Sequence, residues 1–270
     1  MEPTSSHPQP ASRASHAAPD VTEYLRRIGF SGSLDGSVAT LAKLQELHLK
    51  TVPYENLDIL VGRPLSLEIE DLFYKIVHQH RGGYCFELNA LFGWLLSELG
   101  YPVVHLMARF WRDEPDLPPK RRHHVLKVTA QGKDYLCDVG VGGIIPRAPI
   151  ELVLGREQVQ GDEWYKLESD PFFGWMLCER RHGEWKRLYS FTDEPQLEKD
   201  FTMATYWCEN APDSIFRKEA MVSIHTDEGR NTVSGREFKR FTSSGVESFV
   251  AQTEAEYKEA LRAHFGLTLR

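Results

Sequence analysis

The sequence predicts an α+β fold: an N-terminal helical bundle, a central antiparallel β-barrel-like domain and a C-terminal α/β lid. Three observations carry this reading. Apolar residues recur at three- and four-residue spacing over residues 20–100, the period of helices packed on one side. From Tyr101 onward the pattern changes to short alternating runs separated by glycine, proline and charged residues. A capped helical pattern returns only near the C-terminus.

Residues 1–19 are rich in Ser, Pro, Ala and His without periodicity and read as a disordered tail. Asp20 is placed to cap a first helix, with Glu23 three residues on, Tyr24, Leu25 and Ile28 inward and Gly29 as its stop. A second helix carries Val38, Leu41, Leu44 and Leu47 and closes before Pro53. Ser66 is the expected cap of a third, with Ile69, Leu72, Phe73, Ile76 and Val77 inward. A fourth starts near Cys85, with Leu88, Leu91, Phe92, Leu95, Leu96 and Leu99 on one face and Gly100 and Pro102 as terminators.

The barrel-like segment spans 101–200. It opens on the alternating run through Val104, Leu106, Ala108 and Phe110, followed by a Pro- and charge-rich loop from Arg112 to Arg122. Strands are expected at 123–129 and 133–139, joined at Gln131-Gly132, and then at 164–168, 172–179, 184–191, 220–226 and 232–241. The runs up to 241 read as one antiparallel sheet or barrel. The lid, 201–270, ends in a helix capped by Thr253 with Glu256, bearing Tyr257, Leu261 and Phe265.

Composition narrows the function. A formal net charge of -7 argues against nucleic acid as the main partner, because phosphate backbones need a basic field. No apolar run reaches the roughly 18 residues of a membrane span, and no secretory signal pattern is visible at the start. Four cysteines in 270 residues do not make a disulfide framework. Cys137, Cys178 and Cys208 lie in apolar or aromatic surroundings and read as core. A reduced, cytoplasmic enzyme is the simplest class.

The stretch Arg81-Gly82-Gly83-Tyr84-Cys85 brings the backbone in tightly and puts a thiol at a helix start. Unpaired N–H groups at that end favour a thiolate and are expected to lower its pKa. A buried cysteine that merely packs is the plain alternative, and the position after Arg-Gly-Gly fits it less well. A cysteine nucleophile needs a histidine base and a third group to orient that base. Eleven histidines offer candidates. A two-residue turn at Gln131-Gly132 pairs Ala130 with Lys133 and brings Val125 opposite Asp138. His123 and Asp138 then share a face as diagonal neighbours. His124 faces the other way, although a turn one residue longer would exchange the two.

Asp138 opens Asp138-Val139-Gly140-Val141-Gly142-Gly143, where glycines permit close backbone approach by a ligand. Gly140, Gly142 and Gly143 are the candidate cofactor contacts; a tight turn with no ligand is the alternative. The stretch is neither a Walker loop nor a Rossmann fingerprint. A zinc site from Cys85, Cys137 and the histidine pair lacks any regular Cys/His spacing, and no metal is expected. Arg81 and Glu55 read as a structural ion pair bracing the nucleophile loop.

Together these stretches resemble the arylamine N-acetyltransferase family. Arg81 to Glu87 matches its nucleophile motif, Pro53-Tyr54-Glu55-Asn56-Leu57 its Pro-aromatic-Glu-Asn-Leu segment, and Asp138-Val139-Gly140 with Gly142 its catalytic turn. The match runs over about residues 20–265 and aligns without a gap only with His123 in the catalytic place. The resemblance implies a Cys85–His123–Asp138 triad and acetyl-CoA as donor. It also implies ping-pong transfer through an acetyl-cysteine to an arylamine, hydrazine or related amine. Val141 stands where the family often has Phe, which implies a roomier acceptor pocket. Glu209 and Asn210 replace a small-hydroxyl run before Pro212, and a carboxylate there suits a phosphorylated cofactor poorly. A cysteine hydrolase or transglutaminase, or an amide synthase with a large acyl chain, would use the same triad. A non-catalytic binding module would leave Cys85 unreactive.

Overall fold

The structure, a computed structural model, describes residues 16–112, 114 and 117–269. Of the tail expected over residues 1–19, residues 1–15 lie outside the described residues, as do 113, 115 and 116 in the 112–122 loop. At the edge of that tail His16 stacks on Tyr74, with ring centroids 4.0 Å apart.

Local capping chemistry places most helices where the sequence puts them. The Asp20 carboxylate accepts the Glu23 N–H at 2.8 Å and starts α1 (Val21–Arg27). The Ser37 hydroxyl accepts from Thr40 at the head of α2 (Val38–Thr51). After a one-turn α3 (Leu57–Leu60), α4 (Ile69–Phe73) runs into a π-helical turn, Tyr74–His78. Its cap is Glu68 rather than Ser66, whose hydroxyl accepts the Glu68 N–H at 3.2 Å two residues too early. The next helix, α5 (Cys85–Glu98), buries Leu88, Leu91, Phe92, Leu95 and Leu96 and ends before Gly100 at φ +85°. The helical part also holds a two-residue strand, β1 (Tyr54–Glu55), which no periodicity marks because its partner lies far along the chain.

The large sheet contains β2 (Val103–Phe110), β3 (Arg121–Ala130), β4 (Lys133–Cys137), β5 (Ile150–Glu151), β6 (Gln158–Gln160), β7 (Glu163–Asp170), β8 (Gly174–Arg181) and β9 (Glu184–Phe191). Its order is β5-β4-β3-β2-β9-β8-β7-β6, every pair antiparallel. Leu106, Val125, Leu136, Leu167 and Leu177 fill the inside. The outward residues Met107, Leu126, Val128 and Cys137 join the helical core. Strands β2–β4 are thus buried on both faces. The two end strands are clasped by side-chain amides. Gln158 exchanges two 2.9 Å bonds with the Glu151 backbone, and Gln160 bonds Ala148 at 2.9 and 2.8 Å. These amides satisfy backbone groups that a closed ladder would otherwise pair.

The C-terminal part holds α6 (Thr202–Asn210), β10 (Met221–His225), β11 (Gly229–Ser234), β12 (Glu237–Thr242), β13 (Gly245–Val250) and α7 (Glu254–Phe265). The runs 220–226 and 232–241 do not extend the barrel as expected. They belong to a second sheet of order β1-β10-β11-β12-β13, and the 232–241 run is split at Gly235, φ +57°. Pairing to Tyr54 and Glu55 draws this sheet onto the helical part. The final helix has the full reciprocal cap: Thr253 accepts from Glu256 at 3.1 Å, and the Glu256 carboxylate returns to Thr253 at 3.3 Å.

Three buried histidines are expected to make the fold acid-sensitive. Burial, with Arg27 adding repulsion, lowers His48 to about 3; burial, with Arg147 and Arg230 beside it, brings His225 to about 4; and burial next to His105 and His123 holds His124 well below its ordinary value. Each stays neutral when folded but binds a proton below about 6.5 when unfolded. Their contribution is therefore present above pH 6.5 and is lost as pH falls toward 4. Between pH 6.5 and 4.5 one such group costs roughly 2–3 kcal/mol. His48→Gln, which keeps an acceptor for the Tyr24 hydroxyl now 2.7 Å from Nδ1, should flatten the fall of melting temperature over that range. An unchanged pH slope in thermal melts would count against this account.

Candidate active site

The loop before Cys85 is held by close backbone packing and buried charge. A Cβ on Gly82 would lie 1.9 Å from the Pro53 carbonyl oxygen, and one on Gly83 2.9 Å from Glu87, so both positions exclude a side chain. Arg81 Nε donates to Glu55 at 2.8 Å and its Nη2 reaches Asp58 at 3.2 Å; Lys75 bridges Asp58 and Glu87 at 2.7 and 2.8 Å. Glu87 then accepts the Tyr84 N–H at 3.1 Å, tying the network to the first turn of α5. Arg81 and Glu55 are the expected ion pair. Cys85 sits at the first position of that helix, with Sγ 3.8 Å from the Arg122 carbonyl.

The β3–β4 turn brings the next two groups together. Ala130 pairs with Lys133 and Leu126 with Cys137, so the strands keep the two-residue register. His123 Nε2 meets Asp138 Oδ2 at 2.7 Å, with both side chains buried. This leaves Nδ1 for the Cys85 thiol, which His123 also contacts. His124 points to the opposite face, where Nε2 meets His105 Nδ1 at 2.9 Å and its ring packs on Phe201 at 4.2 Å. His123→Ala is accordingly expected to abolish reaction at the Cys85 thiol, whereas His124→Ala should retain it and lose on the order of 2–3 kcal/mol of stability. The reverse pattern in thiol-reactivity assays and melts would make His124 the base.

Sequence reasoning missed Asn89. One turn after Cys85, its amide donates to Asp138 Oδ1 at 2.8 Å and to the His124 carbonyl at 2.7 Å, while its oxygen accepts from Val139 at 2.9 Å. Asp138 Oδ1 takes a further bond from Gly140 N–H at 2.8 Å. The aspartate is thus fixed by α5, the helix that also carries the thiol. The four-residue spacing of Cys85 and Asn89 was the available signal.

Burial opposes charge on both His123 and Cys85. At His123 burial pushes the pKa down, but Asp138 and then Cys85 overcome it and lift the value to about 10. At Cys85 burial pushes the pKa up, and contact with His123 only partly offsets it. The expected lowering by the helix start is therefore outweighed by desolvation. The imidazolium, rather than the helix end, is what can stabilise a thiolate here.

A cavity of about 320 Å³ opens on Cys85 and His123. Tyr54, Phe110, Val141 and Phe216 give it apolar walls, and Ser223 and Thr232 of the C-terminal sheet close one side. Gly140 and Gly142 line it, but packing already accounts for both. A Cβ at Gly140 would lie 2.6 Å from Cys85 Cα, and one at Gly142 2.8 Å from the Tyr54 ring. Gly143, at φ +124°, has open space around its Cα and needs glycine for its backbone. Glu209 lies on α6 and turns toward the α3–α4 loop, accepting the Leu65 N–H at 3.3 Å. Asn210 bonds the Tyr206 carbonyl at 2.9 Å. Among the described residues, no group of three or more His, Cys, Asp or Glu side chains could hold a metal ion, and no helix is long and apolar enough to cross a membrane.

Cys85 and His123 line one cavity of an α+β fold, with Asp138 bonded to the far side of the imidazole. A family model described as N-acetyltransferase matches residues 37–270. The arylamine N-acetyltransferase of Mycobacterium tuberculosis (H37Rv) is 36% identical over 255 residues, covering 93% of this chain and 90% of that one. The solved arylamine N-acetyltransferase of Salmonella typhimurium superposes with a TM-score of 0.88 at 30% identity, over 92% of this chain and 90% of the other. The Mycobacterium marinum arylamine N-acetyltransferase, solved in complex with CoA, gives 0.85 at 36% identity over 92% of each chain. The chain belongs to the arylamine N-acetyltransferase family.

Proposed function

We propose that this enzyme transfers an acetyl group from acetyl-CoA to an arylamine, arylhydrazine or related amine by a ping-pong route through acetyl-Cys85. His123 Nδ1 takes the thiol proton, and the sulfur attacks the acetyl carbonyl. The collapsing adduct expels the coenzyme A thiolate, which leaves as the thiol with the proton from His123. An amine then attacks acetyl-Cys85 as His123 takes its proton, and the Cys85 sulfur departs. Asp138 orients the imidazole and stabilises its charge. The Cys85 N–H, free of any intrahelical acceptor at the first helical position, is a donor for the oxyanion. Gly140, Gly142 and Gly143 form the backbone edge along which the coenzyme approaches.

The observation that carries this reading is the placing of Cys85 and His123 on one cavity wall with Asp138 2.7 Å behind the imidazole. Acetyl-CoA without acceptor should leave an acetyl group on Cys85, located by mass spectrometry of the digested protein. An aromatic hydrazine should then discharge it. A stable adduct on Cys137, Cys178 or Cys208 would be incompatible with the assignment. Release of acetate to water at the same rate with and without hydrazine would indicate a hydrolase instead.

Val141 is buried in the cavity wall, so its size bears on the acceptor. An aromatic ring there would add a stacking face of roughly 0.5–1.5 kcal/mol beyond its area and remove volume. Val141→Phe should raise kcat/KM for small flat arylamines and lower it for bulky or branched amines. Equal changes for both kinds of acceptor would show that this position does not shape the pocket.

A further inference from the structure

The strand that ends the C-terminal sheet is left open. Among the described residues, no strand or isolated bridge pairs with the far side of β13. At the other end of this sheet, β1 is covered by the bridge between Tyr54 and Gly83. The ends of the large sheet are clasped by Gln158 and Gln160. By contrast, β13 lacks the devices that most often blunt an edge, namely Lys, Pro and bulges. Gly245-Val246-Glu247-Ser248-Phe249-Val250 holds no Lys and no Pro, and its pairing with β12 runs from Gly245 to Val250 without a shift. Val246, Phe249 and Val250 stand 59, 46 and 52% exposed. The strand is nonetheless fixed in place, because the Phe249 ring stacks on the buried Phe238 ring with centroids 4.9 Å apart.

The hydrogen bonds of the β12–β13 hairpin decide which backbone groups face outward. Ala251 N–H donates to the Arg236 carbonyl at 3.0 Å, so Arg236 and Ala251 form a hydrogen-bonded pair. Such pairs alternate along antiparallel strands, and Phe238–Phe249, Arg240–Glu247 and Thr242–Gly245 follow in register. Val246, Ser248 and Val250 lie between them and turn their N–H and C=O groups away from β12. The Val250 carbonyl fits this pattern, accepting the Gln252 side-chain amide at 2.9 Å in place of a ladder partner. This row of groups is its own complement. About a two-fold axis at Ser248, perpendicular to the sheet, Val246 of one copy meets Val250 of the other and Ser248 meets Ser248. Donors then face acceptors along the whole edge. Residues of the same parity meet, so each face of the sheet continues into the second copy. Glu247, the one charge on the strand, falls opposite Phe249 of the second copy and keeps Arg240 beside it on β12. Sliding the register by two residues sets Glu247 against Glu247 or Phe249 against Phe249, and takes an outward residue of each strand from its mate.

We propose that β13 is a dimerisation edge: two copies of this chain join β13 to β13, antiparallel about Ser248, into one sheet that runs through both. The contact is a strand pair rather than a broad face, so a dissociation constant on the order of 10 µM is expected. Sedimentation equilibrium of the full chain should show monomer and dimer in exchange. Ser248→Pro removes the central N–H of each copy and leaves the β12 ladder intact, since that N–H points outward. It should weaken the dimer about 30-fold, the effect of two lost backbone hydrogen bonds. Val246→Lys puts a charge on the edge and should weaken the dimer similarly; it carries the test should Ser248→Pro fail to fold. Ser248→Cys tests the register itself. The introduced thiols of the two copies would stand about 5.5 Å apart at Cα, the spacing of a hydrogen-bonded pair and within reach of a disulfide. Oxidised glutathione should take up their two hydrogens and leave as reduced glutathione, with a disulfide between the copies. Digestion and mass spectrometry should find the peptide linked to itself. Phe172→Cys, on an exposed turn of the barrel, is the control for chance collision.

A wild type that stays monomeric up to about 300 µM, well above the expected constant, overturns the proposal; an edge that serves an unrelated chain would give that result. A dimer that Ser248→Pro and Val246→Lys leave intact also overturns it, since the copies then meet elsewhere. So does disulfide formation as fast in Phe172→Cys as in Ser248→Cys, which reports collision alone. None of these measurements depends on acetyl transfer, so the failure of one reading leaves the other standing.

Discussion

Cys85→Ala is expected to abolish turnover, with a loss of about 10⁴-fold or more, the scale for removing the nucleophile of a cooperating triad. Without the sulfur there is no covalent intermediate, and the amine would have to attack the thioester directly. His123 would still sit 2.7 Å from Asp138, but with no thiol to deprotonate. The fold should hardly notice. Cys85 Sγ lies 3.8 Å from the Arg122 carbonyl and touches the His123 ring, and the change removes a single atom. A melting temperature close to wild type together with absent acetyl adduct is the expected pair of results. If Cys85, His123 and Asp138 act as a unit, adding His123→Ala to Cys85→Ala should lower activity little further. Turnover within about tenfold of wild type in Cys85→Ala would remove the cysteine from the mechanism.

The parts of this molecule that were legible in its sequence are those decided by neighbours along the chain. Asp20 and Thr253 cap helices because a carboxylate or hydroxyl three residues away finds the free amide. The His123–Asp138 pairing followed from a turn. Gln131 and Gly132 both adopt positive φ, +50° and +75°, as a two-residue hairpin connection requires, and the register then propagates to the active site. What stayed hidden depends on distant partners. Tyr54 and Glu55 form a strand only because Ser223 and Val222 arrive to pair with them, and this pairing splits the expected single sheet in two. The Asp138 contact of Asn89 spans 49 residues. The pKa of Cys85 was misread for a related reason: a helix start is visible in sequence, whereas complete burial by the rest of the chain is not.

Arg81→Met should be the most damaging change outside the triad. It removes the main partner of Glu55, which is 1% exposed, and leaves Glu55, Asp58 and Glu87 around Lys75 alone. Glu55 keeps the Leu57 amide at 2.9 Å and the Gly82 amide at 3.3 Å, but two neutral donors do not replace a guanidinium. Breaking a buried pair from one side costs about 3–5 kcal/mol, which in a chain of this size lowers the melting temperature by roughly 10 °C. Activity should fall further than stability alone explains. The Gly82 backbone is held between Glu55 and Pro53, so a loosened Glu55 lets the turn before Cys85 drift, and small displacements of a nucleophile are expensive. The double variant Arg81→Met/Glu55→Gln separates charge from packing. If the cost lies in the stranded carboxylate, the double variant should melt higher than Arg81→Met alone. If it melts lower by the sum of the two single effects, Arg81 and Glu55 act independently and the buried pair is not what braces the nucleophile loop.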